Sequence, residues 1–482
     1  MLDTRRYLKP IFDAAYKISL KSSLFSFALS FLIAVIFAYL PEYTLSKEGV
    51  NTLFILIFAA GLWISEAIPA FAVSLLVVAL EILLLGFSDF DFSNQNGWEI
   101  YLKQWSSPLI FLFLAGFIMA LAASKTKLDI WLAKRVLLYV GNKPQNIITG
   151  LMAVTYLLSM FISNTATAAM MMTILSPMLL NIKSSNPFSK TAVLAVAISA
   201  NLGGMATIIG TPPNAIAVGI LGDNAPSFIG WMGLALVPSL ITVIILRFLI
   251  LKLYPSNEEY INLRSIENVE HFDGSAKEHS NISALPSWKK SITILIFMLT
   301  ILLWLSGPLH NIPTTVVSFI PIIGFTLFGI IDADDICKTR WDVIILIIGG
   351  LSLGFAVSKT GLDMWFATLI STDGLSVLWI VLIFSYFVVV ISNFMSNTAA
   401  TNITLPIVIA ITTTISEHSS SFAAIAVALS ASFAMSLPVS TPPNAIVYAS
   451  KKVHSKDFLI IGVTTAVIGP LVVTGWLFLW YN

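Results

Sequence analysis

Apolar residues run along this chain in long blocks, at roughly 22–40, 50–67, 70–87, 107–124, 189–221 and 229–254. They recur at roughly 291–306, 313–331, 342–358, 422–449 and 457–481. A helix needs about 20 predominantly apolar residues to cross a bilayer. The pattern therefore predicts an all-α polytopic membrane protein with about 11 transmembrane helices. Two regions do not fit that rule, 146–182 and 376–416. Each holds two apolar arms of about 15 residues meeting at a polar tip, too short for a full crossing. Both are predicted to be re-entrant hairpins that enter and leave on one side.

Residues 255–290 form the one long polar stretch and are predicted to be a flexible cytoplasmic linker. It divides the chain. Residues 1–49 hold an N-terminal cytoplasmic segment and the first transmembrane helix. Residues 50–254 make a first repeat, with the hairpin at 146–182 and a proline-broken helix at 189–221. Residues 291–482 make a second, with the hairpin at 376–416 and a broken helix at 422–449. Each repeat has an odd number of crossings, so the second is inverted relative to the first. With the N-terminus cytoplasmic, all 26 Lys and Arg except Lys47, Lys103 and Lys359 fall on the cytoplasmic side. The C-terminus is then expected outside.

Composition agrees. The 482 residues are 57% hydrophobic and 11% charged, whereas soluble domains carry about 25% charged residues. Cys337 stands alone, so there is no internal disulfide framework and no multi-cysteine metal site. The net charge of +1 is uninformative about partners, and no nucleic-acid partner is expected.

Two polar signatures are each written twice. S-x-x-x-S-N-T occurs as Ser159, Ser163, Asn164 and Thr165, and again as Ser392, Ser396, Asn397 and Thr398. Gly210-Thr211-Pro212-Pro213-Asn214-Ala215-Ile216 is matched by Ser440-Thr441-Pro442-Pro443-Asn444-Ala445-Ile446. One S-N-T alone reads as small-residue packing between helices. Both signatures, duplicated in the same order, point to a shared binding site in a transporter. A helix that stops at such a tip presents unpaired carbonyls, and the helix that restarts presents free amides. Ser159 lies one turn before Ser163, and Ser392 before Ser396, so each pair can share a face. The paired prolines block continuous helix and leave the Gly210 and Ser440 carbonyls free. Hydroxyls, an amide oxygen and carbonyls are neutral oxygen ligands suited to Na+ rather than transition metals. With neither carboxylate nor Lys or Arg in these constellations, an anionic guest requires co-bound cations and helix N-termini to offset its charge.

These doubled motifs, with Trp63-Ile64-Ser65-Glu66-Ala67-Ile68-Pro69, resemble the divalent anion/sodium symporter family of di- and tricarboxylate carriers. The resemblance covers nearly the whole chain. It implies a homodimer in the bacterial inner membrane, with a transport domain moving past a scaffold like an elevator. It implies Na+ as the co-transported ion, held by Ser159, Ser163, Asn164 and Gly210 and by Ser392, Ser396, Asn397 and Ser440. Substrate carboxylates would meet Asn164, Thr165, Asn397, Thr398, Thr441 and Pro442. Ser440 departs from Gly210 by adding a hydroxyl. The expected activity is Na+-coupled symport of a small dianion such as succinate, malate or fumarate, with no organic cofactor. Sulfate or citrate transport and Na+-independent exchange are the alternatives. A channel is disfavoured by the inverted repeat, and an intramembrane hydrolase using Ser163 or Ser396 lacks a base. Glu66 is expected at a membrane interface, Glu81 as a paired scaffold carboxylate, and Asp129 and Asp363 as helix caps.

Overall fold

A computed structural model describes residues 4–87, 97–180, 182, 186–262, 286–369, 376–415 and 417–481. The middle of the expected linker lies outside the described residues. Helix α1 runs Thr4–Tyr39, α2 Lys47–Ser65 and α3 Ala70–Glu81, the last continued by a wider turn to Gly86. After a 3-10 stretch, α4 spans Pro108–Lys125 and a short α5 spans Leu128–Tyr139. The first hairpin is α6 (Pro144–Ser159) and α7 (Asn164–Leu180). The first broken helix is α8 (Pro187–Gly203) and α9 (Pro212–Leu221), followed by α10 (Phe228–Leu253).

The second half repeats this order. It contains α11 (Ser287–Leu305), α12 (Thr314–Leu327), α13 (Trp341–Lys359) and a short α14 (Leu362–Leu369). The second hairpin is α15 (Val377–Ser392) and α16 (Asn397–Thr413). The second broken helix is α17 (Glu417–Ala431) and α18 (Pro442–Ala449), and α19 (Ser455–Tyr481) ends the chain. Among the described residues, eight helices are long and apolar enough to cross a membrane, α2, α8 and α19 among them.

Local sequence explains where these helices start. Proline opens α4, α6, α8, α9 and α18, the first-turn position that needs no N–H partner. The aligned turns Ser124-Lys125-Thr126 and Ser358-Lys359-Thr360 close α4 and α13 alike. Thr126 and Thr360 donate back to Ala122 O at 2.7 Å and Ala356 O at 2.8 Å. The chain then turns through left-handed backbone at Lys127 (φ 52) and Gly361 (φ 72). Asp129 and Asp363 follow in the first helical turn, accepting from Ile130 N and Met364 N at 2.8 Å each. Glu66 is exposed and ends α2 in left-handed backbone. Glu81 is fully buried and accepts from Ser352. Its partner is thus a hydroxyl on α13.

Packing is reciprocal between the halves. Each hairpin packs on its own broken helix, α6 and α7 on α8, α15 and α16 on α17. The second arm of each hairpin then packs on the far arm of the other half's broken helix, α7 on α18 and α16 on α9. Helices α10 and α19 pair beside them. This centre is the most enclosed part of the molecule: 94% of the α8 span is buried, against 17% of the α1 span and 22% of α11. The sheltered interior, not the lipid face, is where polar tips and breaks can sit.

Candidate functional site

At the first hairpin tip, α6 ends at Ser159, and Asn164 starts α7. Ser159 is fully buried, and its Oγ donates to Ala200 O on α8 at 2.6 Å. The Asn164 amide lies 2.8 Å from Ser159 Oγ. The amide atom facing the cluster lies 3.1 Å from Ala200 O and 3.3 Å from Gly210 O. Nitrogen inward, the amide donates to these acceptors; oxygen inward, it faces acceptors alone, a cluster of oxygens from the tip, the first arm and the break. Glycine makes this approach possible: a Cβ at Gly204 would fall within 2.9 Å of Asn164 Nδ2.

The break in the first broken helix is held open by Asn214. Its Nδ2 lies 3.1 Å from Gly204 O, 3.2 Å from Met205 O and 2.7 Å from Thr207 O. Trp231 on α10 donates to Met205 O at 3.1 Å. Thr207 Oγ1 donates to Met160 O at the tip, tying break to hairpin. The carbonyls of Gly204, Met205 and Thr207, which the break takes out of the helical ladder, are therefore not left orphaned.

The second half builds the same frame with different fittings. Asn444 Nδ2 donates to Met435 O and Leu437 O at 3.0 Å each. At the tip, Asn393 Oδ1 accepts from Ser436 N at 2.9 Å. The Ser440 hydroxyl reaches Asn393 Oδ1 at 3.2 Å and accepts from Leu437 N at 3.0 Å. That hydroxyl is thus committed to the turn, which leaves the carbonyl as the expected point of equivalence with Gly210. Ser392 is fully buried, and its Oγ has no hydrogen-bond partner; neither does Asn397 Oδ1. A polar link joins the two breaks: Asn201 Nδ2 donates to Asn444 Oδ1 at 3.2 Å, both side chains nearly fully buried.

The remaining expected residues sit at helix starts. Ser163 Oγ accepts from Ala166 N at 3.3 Å and Ser396 Oγ from Ala399 N at 3.2 Å, so both cap the second arms of their hairpins. Thr441 Oγ1 accepts from Asn444 N at 3.3 Å, capping α18, and Pro442 follows as its first residue. Thr165 is half-buried and Thr398 buried, each one residue into a hairpin's second arm. The structure thus brings together Ser159, Asn164 and the Gly210 carbonyl, and adds Ala200, Asn214, Asn393 and Asn444, which the motifs did not single out as ligands. The repeated Asn of T-P-P-N was the visible signal for two of these; nothing in sequence marks a particular backbone carbonyl.

A family model described as the sodium:sulfate symporter transmembrane region matches residues 21–482. The sodium-dependent dicarboxylate transporter SdcS of Staphylococcus saprophyticus is 30% identical over 453 residues, covering 87% of this chain and 83% of that protein. SdcS of Staphylococcus aureus is 30% identical over 479 residues, covering 92% and 88%. A transporter of Schizosaccharomyces pombe is 30% identical over 439 residues, 89% of this chain but 49% of that protein, so the chain spans about half its length. Among solved structures, the YdaH transporter of Alcanivorax borkumensis aligns with TM-score 0.57 at 10% identity, covering 90% of this chain and 98% of that one. MtrF of Neisseria gonorrhoeae aligns with TM-score 0.56 at 12% identity, covering 85% and 94%. At such identities these two likenesses concern fold alone.

Proposed function

We infer the function of this chain from its family: it belongs to the sodium:sulfate symporters, and is a multi-pass membrane transporter rather than an enzyme. Its relatives named as sodium-dependent dicarboxylate transporters support a Na+-coupled carrier of carboxylates or sulfate. Within that class, we propose Na+-driven uptake of a C4-dicarboxylate such as succinate, malate or fumarate. The observation that carries the proposal is the convergence of Ser159 Oγ, Asn164, Ala200 O and Gly210 O at one tip. Neutral oxygens so arranged, with no carboxylate among them, favour a weakly held alkali cation over Ca2+ or Mg2+.

In this reading the Asn164 amide changes partners with the ion. Without Na+ its nitrogen answers the carbonyls; with Na+ its oxygen turns inward and its nitrogen outward, toward the substrate carboxylate. The second Na+ site is proposed at Ser392, Asn397 and the Ser440 carbonyl, using the acceptors that have no partner there. Ser163 and Ser396 act through their caps, which fix the amides of α7 and α16. Those amides, with Thr165, Thr398, Thr441 and the α18 start at Pro442, would receive the carboxylates. Na+ then supplies the positive charge that the protein does not, so ion and dianion bind as mutually dependent partners. One net positive charge moving inward gains about 2.3 kcal/mol per 100 mV.

The reciprocal packing favours movement as a body: the hairpins, broken helices, α10 and α19 interlock, while α1, α3, α4 and α12 pack mainly on helices outside that centre and α13 bridges the two, packing on α3 as well as on α9 and α16. We propose that this centre travels as an elevator domain in each protomer of a homodimer. The two repeats, joined by a cytoplasmic linker with the N-terminus inside and the C-terminus outside, belong to the same proposal. The test is radiolabelled succinate uptake into proteoliposomes, with Na+ replaced by choline or K+ and competition by sulfate, malate and citrate. Saturable uptake that needs Na+ and is competed by malate is expected. Equal accumulation in choline would replace symport by exchange, and preferential competition by sulfate or citrate would reassign the substrate.

A further inference from the structure

A cleft of about 470 Å3 opens where the start of α8 meets the end of α10 and the loop between α18 and α19. It lies at the far end of α8 from the break; α8 is 17 residues long, so roughly 25 Å separates the two at 1.5 Å per residue. Lys190, Lys451, Lys452 and His454 line it. Lys190 is already answered: its Nζ pairs with Asp457 at 2.9 Å and stands over the Tyr254 ring at 4.8 Å. Asp457 in turn accepts from Tyr254 OH at 2.7 Å and from His454 N at 2.8 Å. Asp457, the acid shown paired with this lining among the described residues, is therefore neutralised. Among the described residues, no carboxylate pairs with Lys451 or Lys452, which remain as surplus positive charge.

Two buried polar groups independently call for an acceptor in the same space. Asn186 spends its oxygen on Phe188 N at 3.0 Å, capping α8, which turns its Nδ2 the other way. That Nδ2 and the Ser189 Oγ both have no hydrogen-bond partner, in residues 5% and 2% exposed that line the cleft. Buried donors without acceptors are costly to retain, so a site that keeps two is shaped for something to fill it. The N-terminus of α8 adds its positive dipole end. Two donors, two free ammonium groups and a helix N-terminus around one cleft share a single complement.

We propose that this cleft binds an oxyanion, a carboxylate or phosphate group, between the α8 N-terminus and the Lys451-Lys452 pair. Its residues come from both repeats, so a bound anion bridges α8 to the α18–α19 loop. A soluble anion and a phospholipid headgroup present the same chemistry. The inference holds whether or not the hairpin tips carry Na+ and dicarboxylate.

The test uses the full chain in nanodiscs of neutral phosphatidylcholine, in choline buffer so that Na+-dependent binding is silent. Inorganic phosphate and succinate are titrated separately while thermal stability is followed. In a parallel arm, native mass spectrometry scores retention of phosphatidylglycerol. Saturable stabilisation by phosphate or succinate assigns a soluble anion, and selective retention of phosphatidylglycerol assigns a lipid headgroup. In either case K451Q/K452Q should weaken binding roughly tenfold or more, from the loss of both charge-assisted contacts. Ser189→Ala should weaken it severalfold while leaving the lysines in place. No saturable binding of any of the three probes, or binding unchanged in both variants, overturns the proposal.

Discussion

Ser159→Ala separates the proposed ion site from the helix cap beside it. Ser159 Oγ is fully buried and donates to Ala200 O at 2.6 Å. Removing it costs stability, but Asn164 Nδ2 can still reach the same carbonyl at 3.1 Å. The loss is therefore about 1 kcal/mol, at the low end for a buried acceptor. The ion is affected more, because a ligand oxygen disappears from a small neutral set. An interaction with a charged partner is worth roughly 1.5–3 kcal/mol, which raises the half-saturating Na+ concentration roughly tenfold or more. Ser163→Ala is the matched control, one turn away on the same tip. It removes the bond to Ala166 N at 3.3 Å and so weakens a helix cap, at about 0.5–2 kcal/mol of stability. Its Na+ dependence should move much less than that of Ser159→Ala. The assay is initial succinate uptake against Na+ at fixed succinate, with thermal stability of each variant measured alongside. A folded Ser159→Ala protein with wild-type half-saturation for Na+ would refute the cluster as an ion site. Equal shifts in both variants would instead make Ser163 a direct ligand.

Asn164→Ala and Asn397→Ala are expected to abolish uptake while the protein remains folded; uptake at the wild-type rate would remove these amides from the site. Asn214→Ala strands the carbonyls of Gly204, Met205 and Thr207, and should destabilise by about 2–4 kcal/mol if two amide bonds are lost, read as a lowered thermal midpoint. Gly204→Ala forces a methyl against Asn164 and should raise half-saturating Na+ with a smaller effect on stability. Burial pushes the Asp129 carboxyl up to about 6. Between the usual carboxylate value and about 6 the folded protein then holds a proton that the unfolded chain has lost, so stability falls as pH rises through that window. Asp129→Asn should flatten this dependence in thermal melts from pH 4 to pH 8; an unchanged profile would assign it to another group.

The long apolar blocks made the helices legible, because a membrane demands length and apolarity together. Breaks were legible from Pro212-Pro213 and Pro442-Pro443, which forbid continuous helix. Helices α5 and α14 were foreseen only at their starts, through Asp129 and Asp363: 12 and 8 residues with charges in the first turn leave no span-like signal. The candidate site was half legible. Ser159 and Asn164 stood out by repetition, and tertiary packing brought them to one carbonyl cluster. Ala200 contributes only a carbonyl, which every residue possesses, so it was invisible until α8 was placed against α6. Ser163 was chosen as a ligand for its hydroxyl, yet a local backbone donor claims it, and the hydroxyl that Ser440 adds beside its expected carbonyl is claimed likewise, a competition that short polar side chains regularly meet. Glu81 found Ser352, 271 positions away, where no local pattern could point.

The interlocking of α7 with α18 and of α16 with α9 has a consequence for biogenesis. As the ribosome delivers the first half into the bilayer, the Ser159–Asn164 tip has its own broken helix but not its neighbour from the far repeat. Only when Pro442–Ala449 emerges does α18 arrive to complete the enclosure. A truncated first half would therefore leave α7 uncovered and depend on quality control, whereas two separately expressed halves could still marry inside the membrane. Maturation of this carrier therefore waits on its second broken helix.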